Sequence, residues 1–271
     1  MAEPDTSRGE VNPESDPADA DHGPRSAEHL AAIVEDAGVI AEVVRCGPLD
    51  APVRACPGWD LAALAGHLGV VHRGVTVAAA TGSEPDAGAF PPAPQEPLEL
   101  ADWVEQGAAA LVETLGSVDP AGPVWHPFPV PRSTSVWPRR QAQETVVHRW
   151  DAQDAVGATT PIPTWLAADG VEEYLDVMLP LMLQRGAVSL PSRPGVVVFE
   201  LPGGRSRSAT VDGDVLVTGL VDAALADAAD ATVAGSAGDL LLVLWGRRGV
   251  EQLELRGDVA LAGAWLSLGG N

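Results

Sequence analysis

Four segments in the N-terminal half of this chain carry apolar side chains at the spacing of an α-helix. These segments cover residues 26–46, 60–82, 98–115 and 139–151. That spacing places the apolar side chains of each helix along one face, which must pack against a neighbouring element to leave water. The second and third connections are long and rich in proline. The pattern therefore predicts a bundle of four amphipathic helices, in which a functional site would lie between facing helices.

Local sequence signals predict where these helices begin and end. Ser26 and Asp60 are residue types that cap helix N-termini, and Gly82 is placed to end the second helix. A fifth helix is predicted over Thr164–Arg185, with a kink at Pro180 because proline lacks the amide hydrogen that a helix interior needs.

The pattern changes after residues 191–194, where short strands begin to alternate with turns and helices. The predicted elements are strands at 195–201, 208–211, 215–217, 231–235 and 253–255, a hairpin turn at Asp212–Asp214, a helix over 236–245 capped by Ser236, and a helix over 259–267. Such a module segregates its sheet from its helices. The chain is therefore predicted to be α+β, with a helical bundle over 25–160, a connecting helix over 161–190 and a small α+β domain over 191–271.

Composition restricts the partners and the compartment. The formal net charge is −22 and every basic side chain is arginine, so binding to nucleic acid or an anionic membrane surface is not expected. The chain has no run of 18 apolar residues, no signal-peptide pattern, and two cysteines without metal-ligand or disulfide spacing, so a cytoplasmic protein is expected. Residues 1–24 are acidic and proline-rich with few large apolar side chains, and are predicted to be a disordered tail.

Two residues on the fourth helix are the strongest candidates for chemistry. Glu144 and His148 are four positions apart, so they stack on one helix face and together could hold a divalent metal ion. His67 is a lone histidine among apolar neighbours on the second helix. Three ligands from two helices would leave a coordination position open, as a catalytic metal requires. The alternatives are a solvated Glu–His face and a hydrogen-bonded histidine at the core edge.

Three segments give the chain a resemblance to a known family. They are Ala55–Asp60 leading into Gly66–Leu68, then Glu144–Asp151, and then Asp239–Arg247. In order and spacing, across about residues 26–268, they resemble the mycothiol-dependent maleylpyruvate isomerases. The resemblance implies a DinB-like metal-binding four-helix bundle followed by a small sterol-carrier-like domain. It also implies an actinobacterial setting. The absence of lysine and the abundance of Ala, Gly, Pro and Val suit that setting, because they indicate the codon bias of a GC-rich genome.

The resemblance also implies a metal and a cosubstrate. His67, Glu144 and His148 match the metal ligands of the family, and two imidazoles with one carboxylate suit zinc. Mycothiol is the family's thiol cosubstrate, and zinc would lower the pKa of that thiol or polarise a carbonyl group. In the isomerase, the thiolate adds to the double bond of maleylpyruvate, and rotation followed by loss of the thiol gives the fumaryl product. Related members use the thiolate for S-transfer.

Further polar residues are candidates for roles around this site. Arg247 matches a family arginine implicated at the site and would recognise a substrate carboxylate, although a solvated arginine at a helix end is the alternative. Asp151 is placed to bind the free ring N–H of His148, with an ordinary surface acid as the alternative. Arg140 is expected either to orient a carboxylate or to pack its aliphatic stem.

Three other side chains near the site are interpreted as structural. Trp59 is expected to anchor its loop against the bundle, Cys56 to be a turn residue, and His72 to point away from the metal. Cys56 lacks, within its own segment, the base or positive neighbour that an active nucleophile would need.

These residues lead to the prediction of an enzyme, a mycothiol-dependent isomerase or thiol S-transferase. Its expected partners are a small anionic or electrophilic substrate and a low-molecular-weight thiol, and it is expected to be a monomer or homodimer. Two alternatives belong to other classes. One is a non-catalytic binding protein that uses the apolar interior of the C-terminal domain, and the other is a hydrolase that uses zinc-bound water.

Overall fold

The computed structural model describes residues 25–202, 205–213 and 215–269. The predicted N-terminal tail over residues 1–24 therefore lies outside the described residues, as does Asp214 in the predicted hairpin turn.

Four long helices form the N-terminal bundle. They are α1 (Ser26–Cys46), α2 (Leu61–Thr81), α3 (Pro97–Ser117) and α4 (Val136–Ala155). Helices α1 and α2 each pack against α3 and α4. Their apolar faces meet in a core that includes the fully buried side chains Ile33, Ile40, Leu64, Leu68, Leu100, Leu111 and Val146. This arrangement confirms the predicted helical bundle.

The helix ends follow the sequence signals at α2 but not at α1. A side-chain oxygen of Asp60 accepts a hydrogen bond from the Ala63 amide at 2.8 Å, and Gly82 ends the helix in the left-handed conformation with φ 72°. The predicted cap at Ser26 is wrong. Ser26 is the first helical residue, and Arg25 occupies the cap position without a side-chain hydrogen bond.

Helix α2 lies at the centre of the site described below. It is the one helix in the described part of the chain that is long and apolar enough to cross a membrane, judged by length and composition only. Half of that stretch is buried inside the fold, where the helix packs against α3 and α4. Its apolar composition therefore serves the packing of the bundle.

The C-terminal domain is built on a five-stranded mixed sheet. Its strands are β1 (Val197–Phe199), β2 (Arg207–Asp212), β3 (Val215–Leu220), β4 (Ala231–Ala234) and β5 (Glu254–Gly257), in the order β3-β2-β1-β4-β5. Strands β1 and β4 run parallel, whereas the other neighbours are antiparallel. The α+β prediction is confirmed, although β1 is shorter than the strand predicted over 195–201.

Five α-helices belong to the described part of this domain. They are α5 (Thr164–Glu173), α6 (Leu179–Gln184), α7 (Ala223–Asp227), α8 (Ala237–Leu244) and α9 (Val259–Leu266). The Ser236 hydroxyl caps α8 by accepting a hydrogen bond from the Asp239 amide at 3.0 Å. Helix α8 is almost entirely buried and packs against α5. The helix that was predicted to connect the domains therefore packs with the C-terminal domain.

The predicted kink at Pro180 takes the form of a wider turn. A π-helical segment, Tyr174–Met178, joins α5 to α6 just before the proline. Proline offers no amide hydrogen, and its ring crowds the carbonyl group four residues earlier, so the preceding turn widens.

Candidate active site

His67, Glu144 and His148 come together between α2 and α4. The Nε2 atoms of His67 and His148 lie 3.2 Å and 3.5 Å from the same Glu144 oxygen, Oε1. Each of the three residues offers one potential ligand atom, and these three atoms all lie within 4.8 Å of one another. The His67 side chain is 34% exposed and that of His148 is 11% exposed. The cluster therefore has one open flank, on the side of His67.

Charge and burial set the protonation of this cluster. Burial opposes ionisation of Glu144, but hydrogen bonds with His148 and His67 outweigh that effect and hold its pKa well below the usual range. Burial also favours the neutral form of His148, but hydrogen bonds with Asp151 and Glu144 raise its pKa to about 9. The site thus combines an ionised carboxylate with imidazole nitrogens directed at it.

Asp151 supports the outer edge of His148. Its Oδ2 lies 3.0 Å from His148 Nδ1, and the Asp151 side chain is completely buried. Burial opposes its ionisation, yet hydrogen bonds with His148 and Arg247 lower the pKa of Asp151. An Nδ1–H donated to this carboxylate leaves Nε2 as the ring nitrogen directed at Glu144.

Arg247 reaches the site from the C-terminal domain. Gly246 follows α8 in the left-handed conformation with φ 72° and turns the chain back toward the bundle. Arg247 donates from Nε and Nη2 to the two oxygens of Asp151, at 3.1 Å and 2.9 Å, and from Nη1 to the Trp245 carbonyl at 2.7 Å. The predicted fork for a substrate carboxylate therefore holds a protein carboxylate in this structure.

Arg140 supports Glu144 from the other side. It donates from Nη1 to both oxygens of Glu173, at 2.8 Å and 2.9 Å, and from Nη2 to Glu144 Oε2 at 3.5 Å. Arg140 and Glu173 are both almost fully buried. Glu173, the last residue of α5, was not identified from the sequence, because Glu172 adjoins it and two aspartates lie close by, so no local signal distinguishes it.

The turn before α2 lies closer to the site than the sequence indicates. The ring of Trp59 packs against the His67 ring, with centroids 4.8 Å apart, and lies 6.2 Å from the His148 ring. Cys56 Sγ lies 3.8 Å from Arg247 Nη2 and 4.0 Å from Asp151 Oδ2. The positive neighbour of Cys56 is therefore Arg247, which belongs to a distant segment of the chain.

Cys56 nevertheless keeps a protonated thiol. Burial, reinforced by the negative charge of Asp151, raises its pKa. Cys56, His148 and Asp151 also form a second group of potential metal ligands. His72, in contrast, lies outside both groups, because its Nε2 faces Thr145 Oγ1 at 3.0 Å.

Two family models match the chain. The Mycothiol maleylpyruvate isomerase N-terminal domain matches residues 30–153, and the MDMPI C-terminal domain matches residues 166–264. The chain belongs to the mycothiol maleylpyruvate isomerase family. It matches no curated protein and no solved structure.

Membership of this family confirms the resemblance and assigns the broad fold and chemistry. The N-terminal match carries the three candidate ligands on a DinB-like helical bundle, and the C-terminal match carries Arg247. The C-terminal match begins at residue 166, so it includes nearly all of the helix predicted to connect the domains. The family implies an isomerase-type reaction that uses mycothiol and a small-molecule substrate.

Proposed function

We propose that this protein is a metal- and mycothiol-dependent enzyme that attacks an electrophilic small molecule with an activated thiolate. His67, Glu144 and His148 would hold the metal ion, and zinc is the metal that this donor set suits best. The observation that carries the proposal is the position of Glu144 Oε1, within 3.2 Å and 3.5 Å of two imidazole nitrogens on an open flank of the bundle.

The donor set fits a catalytic metal centre. Two imidazole nitrogens and one carboxylate oxygen are grouped within 4.8 Å, and three protein ligands leave a coordination position for a substrate. A divalent metal ion held there would lower the pKa of a bound thiol, so that its nucleophilic thiolate exists at neutral pH. The carboxylate of Asp151 fixes the ring orientation of His148, and Arg140 fixes the second oxygen of Glu144.

The thiol must come from a cosubstrate. Cys46 is exposed, on the surface of the bundle, and Cys56 lies behind His148 with a pKa raised by burial. The open flank beside His67 and Trp59 is therefore the entry for a low-molecular-weight thiol, and family membership identifies mycothiol as that thiol.

The residues support either of two outcomes after the thiolate attacks. The sulfur forms a bond to one alkene carbon while the π electron pair moves to the neighbouring carbon. Rotation about the resulting single bond and expulsion of the thiolate give the cis–trans isomer. Retention of the carbon–sulfur bond, with a proton taken up at the neighbouring carbon, gives the S-conjugate instead.

Metal analysis combined with a thiol-dependence assay tests the proposal. We expect about one equivalent of divalent metal per chain in protein purified without a metal-binding tag, and loss of that metal in the His67→Ala, His148→Ala double variant. His29→Ala is the matched control, since His29 pairs with Asp169 away from the cluster. Full metal content in the double variant would contradict the ligand assignment. Turnover without thiol would support a hydrolase, and absence of turnover with any electrophile would support a binding protein.

A further inference from the structure

A cavity of about 370 Å³ opens beside Glu144 and extends the site along two helices. Its lining residues on α2 follow His67 at successive helical turns, and its lining residues on α4 precede Glu144 at successive turns, so each set lies on the same helix face as that ligand. These residues include Val71, Gly74 and Ala78 on α2, and Gln141 and Trp137 on α4. Met178, Leu181 and Arg185 of the C-terminal domain complete the wall. The cavity thus reaches the candidate metal site at Glu144, which lines it.

The walls of this cavity are mainly hydrocarbon. Phe90, Trp125, Phe128 and Trp137 contribute aromatic rings to it, and the first three are only partly buried. The rings of Phe128 and Trp137 meet edge to face with centroids 5.6 Å apart. Partly buried aromatic rings around a cavity favour a flat apolar ligand, because such a ligand removes their remaining surface from water.

Apart from the proposed metal ion, whose open coordination position the thiol would occupy, the described part of the chain offers this cavity one cation that is free to bind a ligand. Arg140 lines it, but its guanidinium already binds Glu173 and Glu144. Arg185, just after α6, also lines it, is exposed, and has no ion pair within the described residues. Two carboxylates on one small ligand would therefore leave one of them in an apolar environment, which is costly.

We propose that this cavity binds the electrophile, and that the electrophile is an enone acid with an aromatic or alkyl body and a single carboxylate. Maleylpyruvate is a compact dianion and fits this charge pattern less well. Arg185 would bind the carboxylate, while the apolar body occupies the space between α2 and the aromatic rings. The assignment of enone chemistry rests on the proposed function, whereas binding of the apolar acid in the cavity does not.

The reaction on such a substrate balances without a further reagent. The thiolate sulfur forms a bond to the alkene carbon that is β to the ketone, and the π electron pair moves to the α carbon. In S-transfer, the α carbon takes one proton from water. In isomerisation, the pair returns to the double bond after rotation, and the thiolate leaves unchanged.

Binding of two unreactive ketoacids to the full-length protein tests the proposal. β-Benzoylpropanoate carries a phenyl ring and one carboxylate, whereas γ-oxopimelate has a second carboxylate-bearing arm in place of the ring. We expect calorimetry to show that β-benzoylpropanoate binds at least roughly tenfold more tightly, since burial of a phenyl ring favours it. Equal affinity, or tighter binding of γ-oxopimelate, would overturn the proposal.

Variants that fill the cavity or remove its cation test the location. A Cβ atom at Gly74 would meet Pro85 and Phe90 at 3.8 Å and 4.0 Å, so Gly74→Leu fills the cavity without a backbone clash. We expect it to weaken binding of β-benzoylpropanoate roughly tenfold or more. Gly38→Leu on α1 makes the same change in open space and should leave the affinity unchanged.

Arg185→Gln should weaken binding several-fold, whereas Arg256→Gln, on the edge strand β5, should not. Thermal denaturation establishes that all four variants are folded. Unchanged affinity in Gly74→Leu would place the ligand elsewhere and overturn the proposal. The ketoacids need neither thiol nor turnover, so loss of metal in the His67 and His148 variants bears on the proposed function and not on this result.

Discussion

Arg247 and Asp151 meet across the two domains through two hydrogen bonds, from Nε to Oδ1 at 3.1 Å and from Nη2 to Oδ2 at 2.9 Å. Asp151 in turn lies 3.0 Å from Nδ1 of His148. Arg247 therefore acts on the candidate metal site through the carboxylate that orients His148. This relationship gives the C-terminal domain a direct connection to the chemistry of the bundle.

Replacement of Arg247 by alanine should weaken both the fold and the metal site. It leaves the buried Asp151 carboxylate without its cationic partner, so we expect a loss of about 3 kcal/mol in the free energy of unfolding. We also expect a lower metal affinity, because His148 loses its fixed support. Chemical denaturation and metal titration measure the two effects. Arg248→Ala, at a more exposed neighbour paired with Asp239, should change neither.

Asp151→Asn separates orientation from packing. The amide has the same shape but loses the charge that holds the His148 ring and the Arg247 guanidinium. We expect the metal affinity to fall roughly tenfold to a hundredfold while the protein stays folded. Competition with a metal chelator measures the affinity, and circular dichroism monitors the fold. Wild-type affinity would show that Asp151 does not orient His148.

Activity should require an added thiol and survive removal of both protein thiols. Cys46 lies on the surface, and Cys56 has a pKa raised by burial, so neither is placed to act as the nucleophile. We expect the Cys46→Ser, Cys56→Ser double variant to retain kcat within roughly threefold of the parent when mycothiol is present. Steady-state kinetics with and without mycothiol tests this. A loss of turnover with intact metal content would point to a protein thiol.

Ionised Asp169 should stabilise the fold, and this contribution should be lost at acidic pH. Burial opposes its ionisation, but His29 and Arg139 outweigh that effect and lower the pKa of Asp169 to about 2. Because the folded pKa is depressed, its contribution is present above the unfolded value near 4 and is lost as the pH falls toward 2. The contribution is about 2 kcal/mol. Denaturation at a series of pH values between about 2 and 4 measures the free energy of unfolding. Its dependence on pH should become weaker in Asp169→Asn but stay unchanged in Asp50→Asn, since Asp50 is exposed.

The bundle and the α+β domain could be predicted because apolar periodicity and turn residues report them locally. Asp60 and Gly82 mark the ends of α2 through bonds formed within a few residues. The first residue of α1 could not be predicted in this way, because Arg25 takes the cap position without a side-chain hydrogen bond. The π-helical turn before Pro180 also escaped prediction, since a proline signals disruption but not the form that it takes.

Helical spacing alone relates site residues only where they share a helix, whereas the family resemblance placed His67 and Arg247 at the site. Glu144 and His148 are related by helical spacing, whereas the contact between Arg247 and Asp151 joins residues 96 positions apart. The same limit applies to Trp59, whose ring packs against His67 and His148 because the turn before α2 folds back onto α4. Side chains that meet through tertiary packing leave no periodic signal in the sequence.

If the cavity beside Glu144 binds the electrophile as proposed, the residues that react and the residues that select the substrate lie in different segments of the chain. Its metal-proximal wall belongs to α2 and α4, whereas Met178, Leu181 and Arg185 belong to a segment that carries none of the proposed ligands. Substitutions in that segment can therefore alter which substrates are accepted while the reactive centre stays intact. Under the proposed binding mode, the choice of substrate and the chemistry of the metal site are therefore encoded in separate parts of the chain.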